Sequence, residues 1–283
     1  MTRKIAFVLV ATLVLPCTAK GVQADSANVA GPTARQRAPI RPLHDFAWTA
    51  ADLGRDFWRS LSAPAWMDGG AWIKTAGVLA VGGLLYLTDE DITRAATRNL
   101  EEPVFREIND VGTFLEPIGL MGNTNVWYAS GAVVSYFLRL DRPKRMFTEM
   151  LYSHWIAGII RGGTNKLVGR ERPYKGLGSS TFVAGEGTSF PSGHASTIFQ
   201  VAAVLSHHIH STPVSIGLYG LATTVAYQRI TSEEHWASDV WLGAVYGWAV
   251  AQLVIRLHED EALRLEPFVD GSGAAGMALR VRM

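Results

Sequence analysis

The chain has 283 residues, 48% of them hydrophobic and only 18% charged, with a formal net charge of +1 and a single cysteine. That length and apolar content supply a substantial core and exclude both a disordered chain and a small disulfide-stapled scaffold. The near-neutral charge, with no basic patch suited to a polyanion, sets nucleic acid aside as a partner, while the low charged fraction leaves a soluble enzyme and a multi-pass membrane protein both open.

At the N-terminus, Arg3 and Lys4 precede an apolar run from Ile5 to Leu15 and then Val22-Gln23-Ala24, the pattern of an export signal over residues 1–24. The run is short for a span of about 20 residues, and an uncleaved signal anchor is the alternative. Cys17 lies inside this segment, so a cleaved chain has no thiol chemistry. Residues 25–45 are rich in Ala, Pro and Arg, lack periodicity and read as a linker. Residues 46–116 form an N-terminal helical region with Trp48, Trp58, Trp66 and Trp72, read first as packing residues and second as anchors at a membrane interface.

Beyond that come apolar segments without a long alternating pattern: Thr75–Thr88, Pro117–Leu138, Met146–Leu167, His194–His210, Pro213–Ile230 and Ser238–Arg256. Proline breaks at Pro143, Pro173, Pro191 and Pro213 separate them. The fold class is therefore all-α, a bundle of about six core helices with additional N-terminal amphipathic helices. The helical core is placed at 117–258 and a C-terminal tail at 259–283, where Gly276–Met283 alternates as a short strand does.

Residues 117–138 and 240–255 carry no charge and are long enough to span a bilayer or fill a large bundle. Thr75–Thr88, at about 1.5 Å per residue, reaches only roughly 21 Å and is expected to lie on or within the bundle. An outward-facing site needs an even number of crossings between residue 25 and Pro173, which 117–138 and 146–167 provide. That arrangement puts the basic stretch Arg139–Arg145 in the cytoplasm. The expected location is the cell envelope: a multi-pass inner-membrane protein with its site facing the periplasm, or a soluble periplasmic one.

Three clusters carry chemistry suited to phosphate. In Asn165–Pro173, Lys166, Arg170 and Arg172 end a helix before a proline stop, where cations also complement the helix dipole. In Ser189–Ser196, Pro191 and Gly193 make a turn whose N–H groups converge at a helix N-terminus, beside the Ser192 hydroxyl and the ionisable His194. In Gln228–Asp239, His235 and Asp239 are four apart, so that a carboxylate on the same helical turn can bond one imidazole nitrogen and leave the other as nucleophile or base. A His-x3-Asp pair also occurs at metals, but two ligands do not make a site, and no metal is expected. His207, His208 and His210 read as a helix-end cluster.

Arg172-Pro173, then Pro191-Ser-Gly-His194, then Arg229 with His235 and Asp239 resemble the three-part signature of the type-2 phosphatidic acid phosphatase and vanadium-dependent haloperoxidase superfamily. The resemblance implies hydrolysis of phosphomonoesters or pyrophosphates, lipid phosphates among them, through a phosphohistidine intermediate. It makes His235 the nucleophile, Asp239 the group that fixes its tautomer, and His194 the acid that protonates the leaving oxygen. Arg172, Arg229, Ser192 and the Gly193 N–H then hold the phosphoryl oxygens. No cofactor is implied; vanadate enters only under a haloperoxidase alternative.

The sequence departs from the signature in two places. The lysine expected seven residues before Arg172 is Asn165, with Lys166 one place later, about 100° round a helix. Asn165 and Lys166 are both retained as candidate phosphate ligands, and a phosphate-binding relative with weak or lost turnover is a further alternative. Gln228 stands where a serine is usual. The implied partners are a phosphorylated small molecule or lipid and a membrane.

Overall fold

A computed structural model describes residues 50–269 and 275–281. The expected signal at 1–24, the linker at 25–45 and Trp48 lie outside the described residues. Eight helices occur among those residues: α1 (Ala50–Ser62), α2 (Gly69–Asn99), α3 (Pro103–Leu115), α4 (Met121–Phe137), α5 (Asp141–Val168), α6 (Gly193–Ile209), α7 (Thr212–Thr231) and α8 (Ala237–Ala262). The all-α bundle is the architecture. One antiparallel hairpin follows it, β1 (Leu263–Val269) with β2 (Ala275–Val281), in a register pairing Leu263 with Val281 and Val269 with Ala275. The alternation at the C-terminus thus forms a strand, but its partner β1 follows α8 directly and carried no separate signal.

The core lies where α5, α6 and α8 meet. Tyr128, Met150, Ala203, Val204, Ala251 and Ile255 form one cluster, and Tyr152, Ile156, Ala157, Val250 and Val254 a second, onto which Leu53 and Phe57 of α1 pack. Small residues let α6 lie close to α7 and α8: Ala195 packs with Ala226, Val240 and Ala244, and Ile198 and Ala202 with Ala222 and Val225. Helices α6 and α8 run in the same direction, with Ser192 beside Gly243 and Ser196 beside Gly247. Helix α2 runs antiparallel to α8: Asp89 bonds Ser238, Gly82 faces Leu242, and Trp241 Nε1 donates to Val78 O at 3.0 Å.

Three expectations are corrected. Thr75–Thr88 is part of a helix of 31 residues, not a segment of 14. Asp68 caps it by accepting from the Ala71 N–H at 2.7 Å, and Lys74 sits inside it. Its apolar part runs from Gly69 to Thr88, which at 1.5 Å per residue is about 30 Å, the hydrocarbon thickness of a bilayer. Second, Pro143 does not break a helix; it falls in the first turn of α5, where its missing N–H has no intrahelical acceptor to lose, so α5 begins at Asp141. Conversely, the segment expected from Pro117 opens as a 3-10 turn over Glu116–Gly119, and α4 starts only at Met121. Third, Trp58, Trp66 and Trp72 are exposed, so packing in the core is not their role.

Candidate active site

The site gathers at one end of the bundle, from the end of α5, the start of α6, the end of α7 and the start of α8. Helix α5 stops at Gly169, whose φ of +61° suits glycine and whose N–H bonds Asn165 O at 2.8 Å. An added Cβ there would fall 2.0 Å from Val183 O, so the chain after α5 can fold back on itself only with glycine at this position. Arg170 and Arg172 follow in extended backbone and point to different tasks.

Arg170 is buried and structural. Its Nη1 donates to Asp239 Oδ1 at 2.6 Å and to Ser238 Oγ at 2.7 Å, its Nη2 to Asp89 Oδ2 at 2.7 Å, and its Nε to Ser179 O at 3.0 Å. The rings of Tyr86 and Trp236 lie 4.9 and 5.5 Å from its guanidinium carbon. Asp89 also accepts from the Ser238 N–H at 2.9 Å and the Ser238 hydroxyl at 2.6 Å. One guanidinium thereby ties α2 to the start of α8.

Asp239 in turn accepts from Ser189 Oγ at 2.5 Å. It does not bond His235. The α8 helix begins at Ala237, so His235 lies in the loop ahead of it, and the four-residue spacing that would align the pair on one helical turn does not apply. His235 Nδ1 instead meets Ser189 O at 2.7 Å. A carbonyl only accepts, so Nδ1 carries the proton and Nε2 keeps its lone pair, the tautomer a nucleophile needs. Asp239 acts at one remove, by holding the serine whose carbonyl orients the imidazole. Burial, and then the charges of Arg172 and Arg229, push His235 well below the ordinary imidazole range and keep it neutral.

The loop carrying His235 is built by the end of α7. The N–H groups of Glu234 and His235 both bond Arg229 O, at 3.2 and 3.1 Å, and Glu233 adopts a φ of +56° to turn the chain. Arg229 is itself buried, with Nη1 donating to Glu116 Oε1. Arg172 donates from Nε to Thr188 Oγ1 at 3.2 Å and from Nη1 to Glu234 Oε2. Two carboxylates therefore face the two arginines where phosphoryl oxygens would sit.

The Ser192–His194 turn opens α6. Ser192 Oγ accepts from the Ala195 N–H at 3.4 Å, a helix cap, and the Ser192 N–H bonds Asp239 O at 3.1 Å. The helix itself offers no acceptor to the N–H groups of Gly193 and His194, which remain for an anion. His194 Nε2 lies 3.9 Å from Glu116 Oε1. Burial first, and then Arg229, lower His194 to about 4.

Arg172, Arg229, His194, His235 and the Ser192-Gly193 turn are thus brought together. Lys166 does not join them. Asn165 Nδ2 donates to Thr188 O at 2.9 Å, which commits one of its two N–H groups to the loop that also holds Arg172. Lys166 is exposed, a rotation of about 100° away from buried Asn165. Asp89, Glu116 and Thr188 were not foreseen, and Ser189 and Glu234 lay inside the second and third clusters without a role of their own; for Asp89 the available signal was the acidic Asp89-Glu90-Asp91 run closing an apolar segment.

Comparison with known proteins finds three likenesses. Residues 129–262 match the family model described as PAP2 superfamily. Over 115 residues, 39% of its length, the chain is 31% identical to a lipid A 1-phosphatase of Porphyromonas gingivalis, and it spans only 23% of that relative. A solved structure, the first transmembrane PAP2-type phosphatidylglycerolphosphate phosphatase from Bacillus subtilis, is 20% identical, with a TM-score of 0.46 over 65% of this chain and 96% of that one. Residues 129–262, which carry Arg172, Ser192, His194, Arg229, His235 and Asp239, are thus similar to the PAP2 superfamily, while Asp89 and Glu116 of the site lie before the matched span.

Proposed function

We propose that the protein is a phosphatase of lipid phosphates that works through a phosphohistidine and sits in a membrane with its site at one water-facing end. The observation that carries this reading is the neutral His235, its Nδ1 committed to Ser189 O, facing two arginines and a helix N-terminus. Nε2 attacks phosphorus, the bond to the ester oxygen breaks, and that oxygen takes the proton of His194. Water, giving its proton back to His194, then cleaves the phosphorus–nitrogen bond and releases inorganic phosphate. Arg172, Arg229 and the Gly193 and His194 N–H groups meet the equatorial oxygens, so positioning and countercharge supply most of the catalysis. The curated relative's name, a lipid A phosphatase, favours phosphate chemistry over halide oxidation.

Membrane embedding is supported by the distribution of side chains. Gly69–Asn99 and Ala237–Glu259 are long and apolar enough to cross a bilayer, and Leu84, Leu87, Trp127, Phe137, Ile159 and Leu167 face outward. Buried positions meanwhile include Asp56, Asp89, Glu149, His154, Arg170 and His258. Charge inside and apolar surface outside is the pattern that lipid selects.

The test is phosphate release by the detergent-solubilised chain from phosphatidate in mixed micelles and from a soluble phosphomonoester. Wild type is expected to release phosphate, to form an acid-labile phosphoenzyme, and to lose turnover by at least about 10³-fold in His235→Ala. Wild-type rates in that variant would overturn the mechanism.

A further inference from the structure

With Asn165 turned to Thr188, the position where the signature carries a lysine contributes no cation, yet a guanidinium reaches the same turn from deeper in the bundle. Arg161 lies four residues before Asn165 on α5, a rotation of only about 40°, so the two share a face. Its Nη1 and Cζ would stand 2.8 and 3.0 Å from a Cβ added to Gly193. The guanidinium therefore covers the Cα of the first residue of α6, beside the N–H groups that the helix leaves unused. Arg161 is also one of the three arginines, after Arg229 and Arg172, whose charge bears on His194.

We propose that Arg161 binds the substrate's phosphoryl group against the start of α6, in the role of the lysine that Asn165 replaces. The assignment rests on the phosphatase reading above. It accounts for the absence of a lysine at position 165. A planar guanidinium offers a fork of donors where a lysine offers one point charge. Position 165, relieved of phosphate, is used to pin Thr188, whose hydroxyl accepts from Arg172 Nε. It also gives Gly193 a reason beyond the turn: any side chain there would meet Arg161.

The experiment uses the full chain in detergent, with inorganic phosphate as the probe, titrated calorimetrically into wild type, Arg161→Gln and the double variant Arg161→Gln, Asn165→Lys. Arg161→Gln is expected to weaken phosphate binding by about 10- to 100-fold, the scale of one charge-assisted hydrogen bond, and to raise KM for a phosphomonoester in proportion. Its melting midpoint is expected to stay near that of wild type, and Asn165→Lys is expected to restore part of the affinity. Unchanged phosphate affinity in Arg161→Gln would overturn the assignment. So would a loss that tracks a lowered melting midpoint and is not recovered by the lysine. If wild type binds phosphate through Arg161 but hydrolyses nothing, the phosphatase reading fails and the binding role stands. If wild type hydrolyses and Arg161→Gln leaves KM unchanged, the binding role alone fails.

Discussion

Two imidazoles under the charge of the same arginines are asked for opposite protonation states, and the residue scale decides whether that works. His235 must be neutral to attack, and burial with Arg172 and Arg229 keeps it so down to well below the ordinary imidazole range. His194 must carry a proton, yet in the free protein burial and Arg229 lower it to about 4, with Glu116 alone among its charged neighbours raising it. A bound phosphate dianion reverses that balance, because its negative charge lies among the same arginines. The sign follows: above its pKa the protonated fraction of His194 falls tenfold per pH unit, sooner in free protein than in the complex. The alkaline limb of kcat/KM, which reports the free protein, is therefore expected at lower pH than that of kcat, measured on a soluble phosphomonoester. Limbs in the reverse order would contradict the role given to His194. Which residues come together was legible in the sequence, since Arg172, His194, Arg229 and His235 all lie at one end of the bundle. Their partners were not: whether Asp239 bonds His235 or Ser189 depends on α8 starting at Ala237, a boundary of two residues that periodicity does not resolve.

At the scale of elements, the site depends on how closely the start of α6 lies against α8. Gly243 and Gly247 form a stripe on α8, and a Cβ on Gly247 would fall 2.1 Å from Ser196 O, one on Gly243 2.5 Å from Ser192 O. Those obstacles are backbone atoms and cannot rotate away. Gly247→Ala is expected to force α6 off α8, to cost about 1–3 kcal/mol and to reduce phosphate release by displacing His194. Gly220→Ala on α7, with open space around it, is expected to raise stability by up to about 1 kcal/mol through helix propensity. Thermal unfolding of both variants in one detergent checks the pair; a Gly247→Ala protein as stable and active as wild type would refute the packing argument. The sequence makes the helices themselves readable, because runs of apolar residues between prolines fix most of α5 to α8. It conceals their crossings, since a glycine inside a helix looks alike whether it faces lipid or a neighbouring backbone. It also misled where the segment was read as Thr75–Thr88, since the helix runs on at both ends from Gly69 to Asn99 and is long enough to cross a bilayer.

At the scale of the whole molecule, the length of α2 changes how the chain must thread a bilayer. Tyr86, Asp89 and Glu90, late in α2, bond the site end through Ser180, Arg170 and Ser179, so Gly69 begins at the far end. The same far end holds Arg139 in the turn between α4 and α5, Arg142, Lys144 and Arg145 in the first turns of α5, and the contact of Asp56 in α1 with His258 near the end of α8, at 3.2 Å. If α2, α4 and α5 each cross, three crossings precede Pro173, and residue 68 shares a side with the basic turn. Positive charge favours the cytoplasm for that side, which sends the site outward. A cleaved export signal would deliver residue 25 to the outside and, with α2 crossing, turn the site inward; the two expectations cannot hold together. Single cysteines at Asp68, Lys144 and Lys175, in a chain whose Cys17 is replaced by serine, discriminate between them. A membrane-impermeant thiol reagent applied to intact cells is expected to label position 175 and to leave 68 and 144 unlabelled until the membrane is opened. Labelling at 68 and 144 without labelling at 175 would reverse the orientation, and labelling at all three would remove the bundle from the membrane.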